Sequence, residues 1–215
     1  MPRLFFFPFF ALLLMGCNLA RNAKGASPAL FGMDRIGENV FVDPEMKVDA
    51  RRRFLASIDS ARGLTQRAFG TLLSKPKIIG CSSEECFKSF GEEYPKAKAY
   101  HHWWILVSPR GLLAFVVSHE LAHAELHRRL GFYRTFFDYP HWRDEGMAVW
   151  VSQDPRYLDS SGIKPGYQTE IEEEKYEEEW ARLMEADTPK AYGFACWAFL
   201  EWRKRNPEME ELWAK

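Results

Sequence analysis

The chain has 215 residues, 47% of them hydrophobic and 15% aromatic, which is enough to bury the core of one domain and argues against a largely disordered chain. Its 29 basic and 30 acidic residues leave a formal net charge of -1. Phosphate backbones need a basic surplus on one face, so no nucleic-acid partner is expected.

In chain order, Arg3 precedes an apolar run from Leu4 to Met15. The run is too short to span a bilayer but suits the apolar region of a secretory signal. It ends in Leu14-Met15-Gly16-Cys17, which resembles a bacterial lipobox, although Met15 stands where a small residue is usual. Residues 1–17 are therefore read as a signal peptide, with Cys17 lipidated and holding the mature chain on a membrane of the bacterial cell envelope. An ordinary cleaved signal and an uncleaved anchor are the alternatives, and all three export the domain. Residues 18–40 mix Asn, Gly, Ala, Ser and Pro without periodicity and read as a tether. The folded domain is expected over 41–215.

Export permits disulfides. Cys81 and Cys86 flank Ser-Ser-Glu-Glu and either close a small loop or stand as two buried thiols. A zinc knuckle is not expected, because no second cysteine pair completes four ligands. Cys196 lies in an aromatic helical run and reads as core.

Asp43-Pro44 looks like a helix entry, and Val48, Phe54, Leu55, Ile58, Leu64 and Phe69 carry a helical pattern to about Leu73. Lys77 to Gly80 is a short strand candidate, and Tyr100 to Val107 a stronger one. Ser108-Pro109 then reads as a helix start, and Gly131 sits where a terminating glycine belongs. Between them the spacing predicts a helix over Leu112 to Leu130. Further helices are predicted over Pro140 to Gln153, from about Gln168 to Met184, and from Tyr192 to Arg205. The glutamate runs at 172–174 and 177–179 read as a solvated face. A few strands followed by mostly helices make an α+β domain.

The chemistry is concentrated in His119-Glu120-Leu121-Ala122-His123. Four residues is little more than one helical turn, so both imidazoles project from one face and can share a metal. Glu120 is offset by about 100° around the helix, which suits a base acting on water rather than a ligand. The motif alone also occurs on ordinary helices. A catalytic zinc usually takes three protein ligands and leaves one position open, so a third donor is needed. Downstream of the motif stands Trp142-Arg143-Asp144-Glu145-Gly146-Met147-Ala148.

The two segments together resemble the HExxH and Trp-x-x-Glu-Gly-x-Ala motifs of gluzincin zinc metallopeptidases, the clan of thermolysin and the smaller peptidase MA-like families. The resemblance covers His119 to Val151. It implies a zincin-like fold, one Zn²⁺ per chain held by His119, His123 and Glu145, Glu120 as general base, and Gly146 as the point where two helices come close. It also implies a donor to the developing oxyanion. Tyr192 resembles the tyrosine-bearing helix of the MA-like families, with Tyr167 and His141 as lesser candidates. The aspartate that orients a ligand histidine in thermolysin-like members is Val149 here, so Asp144 or a backbone carbonyl must serve.

Two rival ligands fail on spacing. His119 and His127 lie about 12 Å apart along a helix axis, too far for one ion, so His127 reads as a surface or supporting residue. His141 falls on a different helical face from Glu145. His101 and His102, beside Trp103 on the strand near the motif helix, are minor candidates for substrate contact. The expected function is zinc-dependent hydrolysis of a peptide or protein substrate. The alternative is a surface lipoprotein that binds a partner and carries a structural or idle zinc site.

Overall fold

A computed structural model of the chain describes residues 21–169 and 171–207. The signal segment and Cys17 lie outside the described residues. Within them the architecture is mixed α+β, 59% helical and 12% strand, and no helix is long and apolar enough to cross a membrane.

Five strands form one sheet: β1 (Asp34–Gly37), β2 (Val40–Val42), β3 (Lys77–Gly80), β4 (Ala97–Tyr100) and β5 (Trp104–Val107). Their order is β1-β2-β3-β5-β4, with β2, β3 and β5 parallel and both edge strands antiparallel to their neighbours. All four residues of β5 are buried, as a central strand covered on both faces requires. Ile105 and Val107 face a core shared with Val40, Val42, Phe54, Ile58, Val117 and Leu121. Trp104 and Leu106 face the opposite core, with Met33, Phe41, Ile79 and Phe87.

The helices are α1 (Val48–Phe69), α2 (Glu84–Lys88), α3 (Ala114–Tyr133), α4 (His141–Ser152), α5 (Tyr176–Ala186) and α6 (Thr188–Arg205), and a two-stranded ribbon, β6 (Leu158–Asp159) with β7 (Gly162–Ile163), follows α4. The sheet packs against α1 and α3. Beyond α3 lies a second core, where Ala122 and Leu126 meet Trp142, Met147, Tyr176, Trp180, Phe194, Phe199 and Trp202. Thus α3 is the wall between the two cores, and residues on it are held from both sides.

Several expectations are corrected. The tether predicted over 18–40 is regular structure from residue 21: residues 21–26 are helical, Pro28–Phe31 is a 3-10 turn, and β1 pairs with β2. The reason is burial, since Met33 and Phe41 belong to one core. The strand predicted from Tyr100 to Val107 is β5 only from Trp104 onward: Tyr100 ends β4, and the chain reverses between them at His101, which adopts φ 55. Ser108-Pro109 opens only a 3-10 turn, Pro109–Gly111, and Ser108 makes no capping bond. The motif helix begins at Ala114, and Gly131 ends its regular part with φ 77 as the sequence suggests.

The acidic helix begins at Tyr176 rather than near Gln168. A polar run offers no face to bury, whereas Tyr176 is the first fully covered side chain. The last helix starts earlier than Tyr192: Asp187 caps it by accepting from the Lys190 amide, 3.1 Å, and Pro189 sits in its first turn. Cys81 and Cys86 form the disulfide, and Cys196 is buried and unpaired.

Gly146 is the closest helix contact in this framework. A Cβ there would lie 2.1 Å from the Ala195 carbonyl oxygen and 2.8 Å from the Phe199 Cβ. The neighbour it admits is therefore α6, not the motif helix. Backbone cannot yield as a side-chain tip can, so Gly146→Ala is expected to destabilise by about 2 kcal/mol or more. Urea unfolding measures this, and a loss within 0.5 kcal/mol, roughly the range of neutral surface changes, would contradict the contact.

Candidate metal centre

His119, Glu120 and His123 all stand in the middle of α3, while Asp144 ends the first turn of α4 and Glu145 follows it. The packing of α4 against α3 through Ala122, Leu126 and Trp142 brings the two groups together. His119 Nε2 lies 3.1 Å from Glu145 Oε2 and 3.1 Å from His123 Nε2, and His123 Nε2 lies 3.4 Å from Glu145 Oε2. Three donor atoms thus converge from two helices. Two ligands of a tetrahedral ion with bonds near 2.0–2.1 Å are about 3.3 Å apart, so this triangle fits zinc.

Asp144 settles what Val149 leaves open. Its Oδ1 is 2.6 Å from His123 Nδ1 and its Oδ2 is 2.8 Å from His127 Nε2. We assign the His123 proton to Nδ1, donated to Asp144, which turns the lone pair of Nε2 toward His119 and Glu145. Val149 is fully buried apolar packing instead. A second convergent group, His123, His127 and Asp144, shares His123. In it Asp144 bridges the two rings with one oxygen to each. His127 is therefore a supporting residue.

The electrostatics favour a cation. Burial raises the Glu145 carboxyl, but the His123 and His119 rings outweigh it and bring it down to about 2. Burial opposes ionisation of Asp144 as well, and the paired histidines hold it far below the usual carboxylate range. Burial would lower His123, yet the Asp144 and Glu145 charges raise it well above the ordinary imidazole value. Two half-buried carboxylates beside the imidazoles make a site that favours a positive charge, whether a proton or a metal. Outer hydrogen-bond partners of ligand histidines typically set 10–100-fold of metal affinity. Asp144→Ala is expected to weaken zinc binding by about that factor. Competitive chelator titration measures it, and an unchanged dissociation constant would remove Asp144 from this role.

Glu120 turns away from the triangle. Its Oε2 accepts from the Ala99 amide of edge strand β4 at 2.6 Å. It lines a cleft of about 270 Å³ with His119, Arg156, Tyr157 and Tyr192. The Tyr192 ring centroid is 6.0 Å from that of His119. The Glu145 charge, burial and Glu120 push the Tyr192 hydroxyl well above its ordinary value, so it stays protonated as a donor.

Tyr157 stacks on Tyr192 at 6.1 Å, and burial pushes its hydroxyl up to about 12. Tyr157 and Arg156 were not legible as site residues: no motif spacing marks them, and they enter through the turn after α4. Arg156 is fixed by Asp154, which is 1% exposed and accepts from its Nε at 3.0 Å.

The minor candidates fall elsewhere. Tyr167 packs its ring over Gly193. His141 is exposed and pairs with Glu177 at 2.9 Å. His101 and His102 lie in the hairpin turn after β4 and do not line the cleft. No family model matches the chain, and neither a curated protein nor a solved structure matches it.

Proposed function

We propose that this chain is a zinc-dependent hydrolase of peptide bonds with a zincin-like arrangement. The observation that carries the reading is the convergence of His119 Nε2, His123 Nε2 and Glu145 Oε2 within 3.1–3.4 Å beside a carboxylate, Glu120, that is not part of the triangle. The resemblance to gluzincin motifs supports the same assignment. Zn²⁺ in such a site supplies Lewis acidity and a water nucleophile at neutral pH.

The chain's own groups do the rest. Glu120 keeps Oε1 free while Ala99 holds Oε2, so one oxygen positions the side chain and the other takes a proton from water and returns it to the leaving amine. Tyr192 donates its hydroxyl to the developing oxyanion. Tyr157 stacks its ring beside that of Tyr192 and so helps position it. Asp144 fixes the tautomer of His123.

The test combines metal content with cleavage of an unbiased peptide library. The purified protein is expected to carry close to one zinc per chain and to cleave. Glu145→Ala is expected to lose both metal and activity. A fully zinc-loaded protein that cleaves nothing would overturn the hydrolase reading, and Glu145→Ala with full zinc would remove Glu145 as a ligand.

A further inference from the structure

The C-terminal end of α3 carries an apolar surface that the proposed chemistry does not use. Phe132, Tyr133, Phe136 and Phe137 are 56–70% exposed and Trp103 is 56% exposed. They form one patch. Phe132 contacts Phe136 at 4.7 Å and Tyr133 contacts Phe137 at 5.1 Å. The buried His101 ring joins Phe132, at 6.0 Å, and Phe136, at 5.9 Å, to Trp103, at 5.1 Å. Contiguous exposed aromatics of this kind mark a contact surface rather than scattered surface apolarity.

The occupant is indicated by where the N-terminal chain lies. Residues 21–26 are docked on the same hairpin. Gly25 lies so close over the Trp104 ring that a Cβ would come within 2.1 Å of it, and the Arg21 guanidinium sits 5.1 Å from the Tyr100 ring. Lys77 Nζ donates to the Ala26 carbonyl. Asn22 and Ala26 share a hollow with Trp103 and with Arg128. Cys17 is only four residues before Arg21, a reach of at most about 14 Å.

An acyl anchor at Cys17 would therefore hold the Trp103 side of the domain against the lipid surface. Arg128 and Arg134, both exposed, stand beside the aromatics, a mixture suited to the interface of an anionic bilayer. Asp138, Glu173 and Glu177 border the Phe136–Phe137 edge, so insertion is deepest on the Trp103–Phe132 side.

We infer that the Trp103, Phe132, Tyr133, Phe136 and Phe137 face seats on a phospholipid bilayer. The inference rests on the reading of Cys17 as the lipid-bearing residue, not on the hydrolase reading.

The test uses the lipidated chain beginning at Cys17 in phosphatidylethanolamine–phosphatidylglycerol vesicles containing a phospholipid with a photoactivatable acyl chain, followed by peptide mapping. Adducts are expected within residues 100–104 and 132–137, in addition to those in residues 17–20 that report the anchor. Phe136→Glu combined with Phe137→Glu is expected to cut labelling of 132–137 by about tenfold or more, leaving the anchor adducts in place. Trp103→Ala provides a second variant, with the loss confined to 100–104. Adducts restricted to residues 17–20, undiminished labelling in the double variant, or chain-to-chain cross-links through 132–137 would each overturn the inference. The last would show a second copy as the occupant.

Discussion

Glu120→Gln is expected to fold, keep its zinc and lose about 10²–10⁴-fold of peptide cleavage, the usual worth of general base catalysis. The substitution keeps the shape and still accepts the Ala99 amide through its carbonyl oxygen, which holds the side chain beside β4. What it removes is the capacity to take a proton. Because Glu120 is outside the His119, His123 and Glu145 triangle, metal content is the control that separates chemistry from site loss. Single-turnover cleavage and zinc stoichiometry on the same preparation give the answer. Equal cleavage by the variant would refute the role of Glu120, and loss of zinc would make it a ligand.

The largest stability effect is expected at Glu125→Ala. Glu125 is completely buried in α3, and its carboxylate accepts from the Leu73 amide at 2.9 Å, the Ser74 amide at 2.8 Å and Arg129 Nε at 2.9 Å. Arg129 in turn donates to the carbonyls of Phe69 and Thr71. One ion pair therefore ties α3 to the chain leaving α1.

Truncation leaves a buried guanidinium without its counterion and two amides without acceptors, a loss of about 3–5 kcal/mol. For a domain of this size that is a drop in Tm of roughly 6–20 °C. Glu125→Gln keeps an acceptor for the amides but not the ion pair, and should fall between. Calorimetry on the metal-free protein keeps zinc linkage out of the measurement. A loss below about 1 kcal/mol, the range of exposed pairs, would show that the network is not fully desolvated.

The chain that precedes β2 shows why the expected start of the domain, residue 41, was late. Residues 21–40 lack periodicity, and a segment that folds by docking on an existing sheet carries no repeat of its own. Met33 becomes core only because β5 and α2 stand ready to cover it. The Tyr100 to Val107 segment shows a related limit. It spans the last residue of β4, a turn and β5, and nothing local announces the reversal at His101.

The spacing of His119, Glu120 and His123 on one helix follows from the 3.6-residue repeat. That is a local property, and the sequence by itself determined it, together with β3, Gly131 as the end of the motif helix, and the mixed α+β class. Glu145 was named only through the resemblance, and the packing of α4 on α3 is what brings it to the two histidines. Which groups support that site was decided only in three dimensions. Asp144 serves His123 and His127 because α4 crosses α3 there, Gly146 admits α6 rather than α3, and Tyr157 reaches the cleft from beyond α4. Glu125 and Arg129 read in the chain as an ordinary pair one turn apart, and burial alone makes them a latch. Periodicity records which face of an element is apolar. The partner of that face, and the desolvation that sets the worth of each charge on it, exist only once the elements have packed.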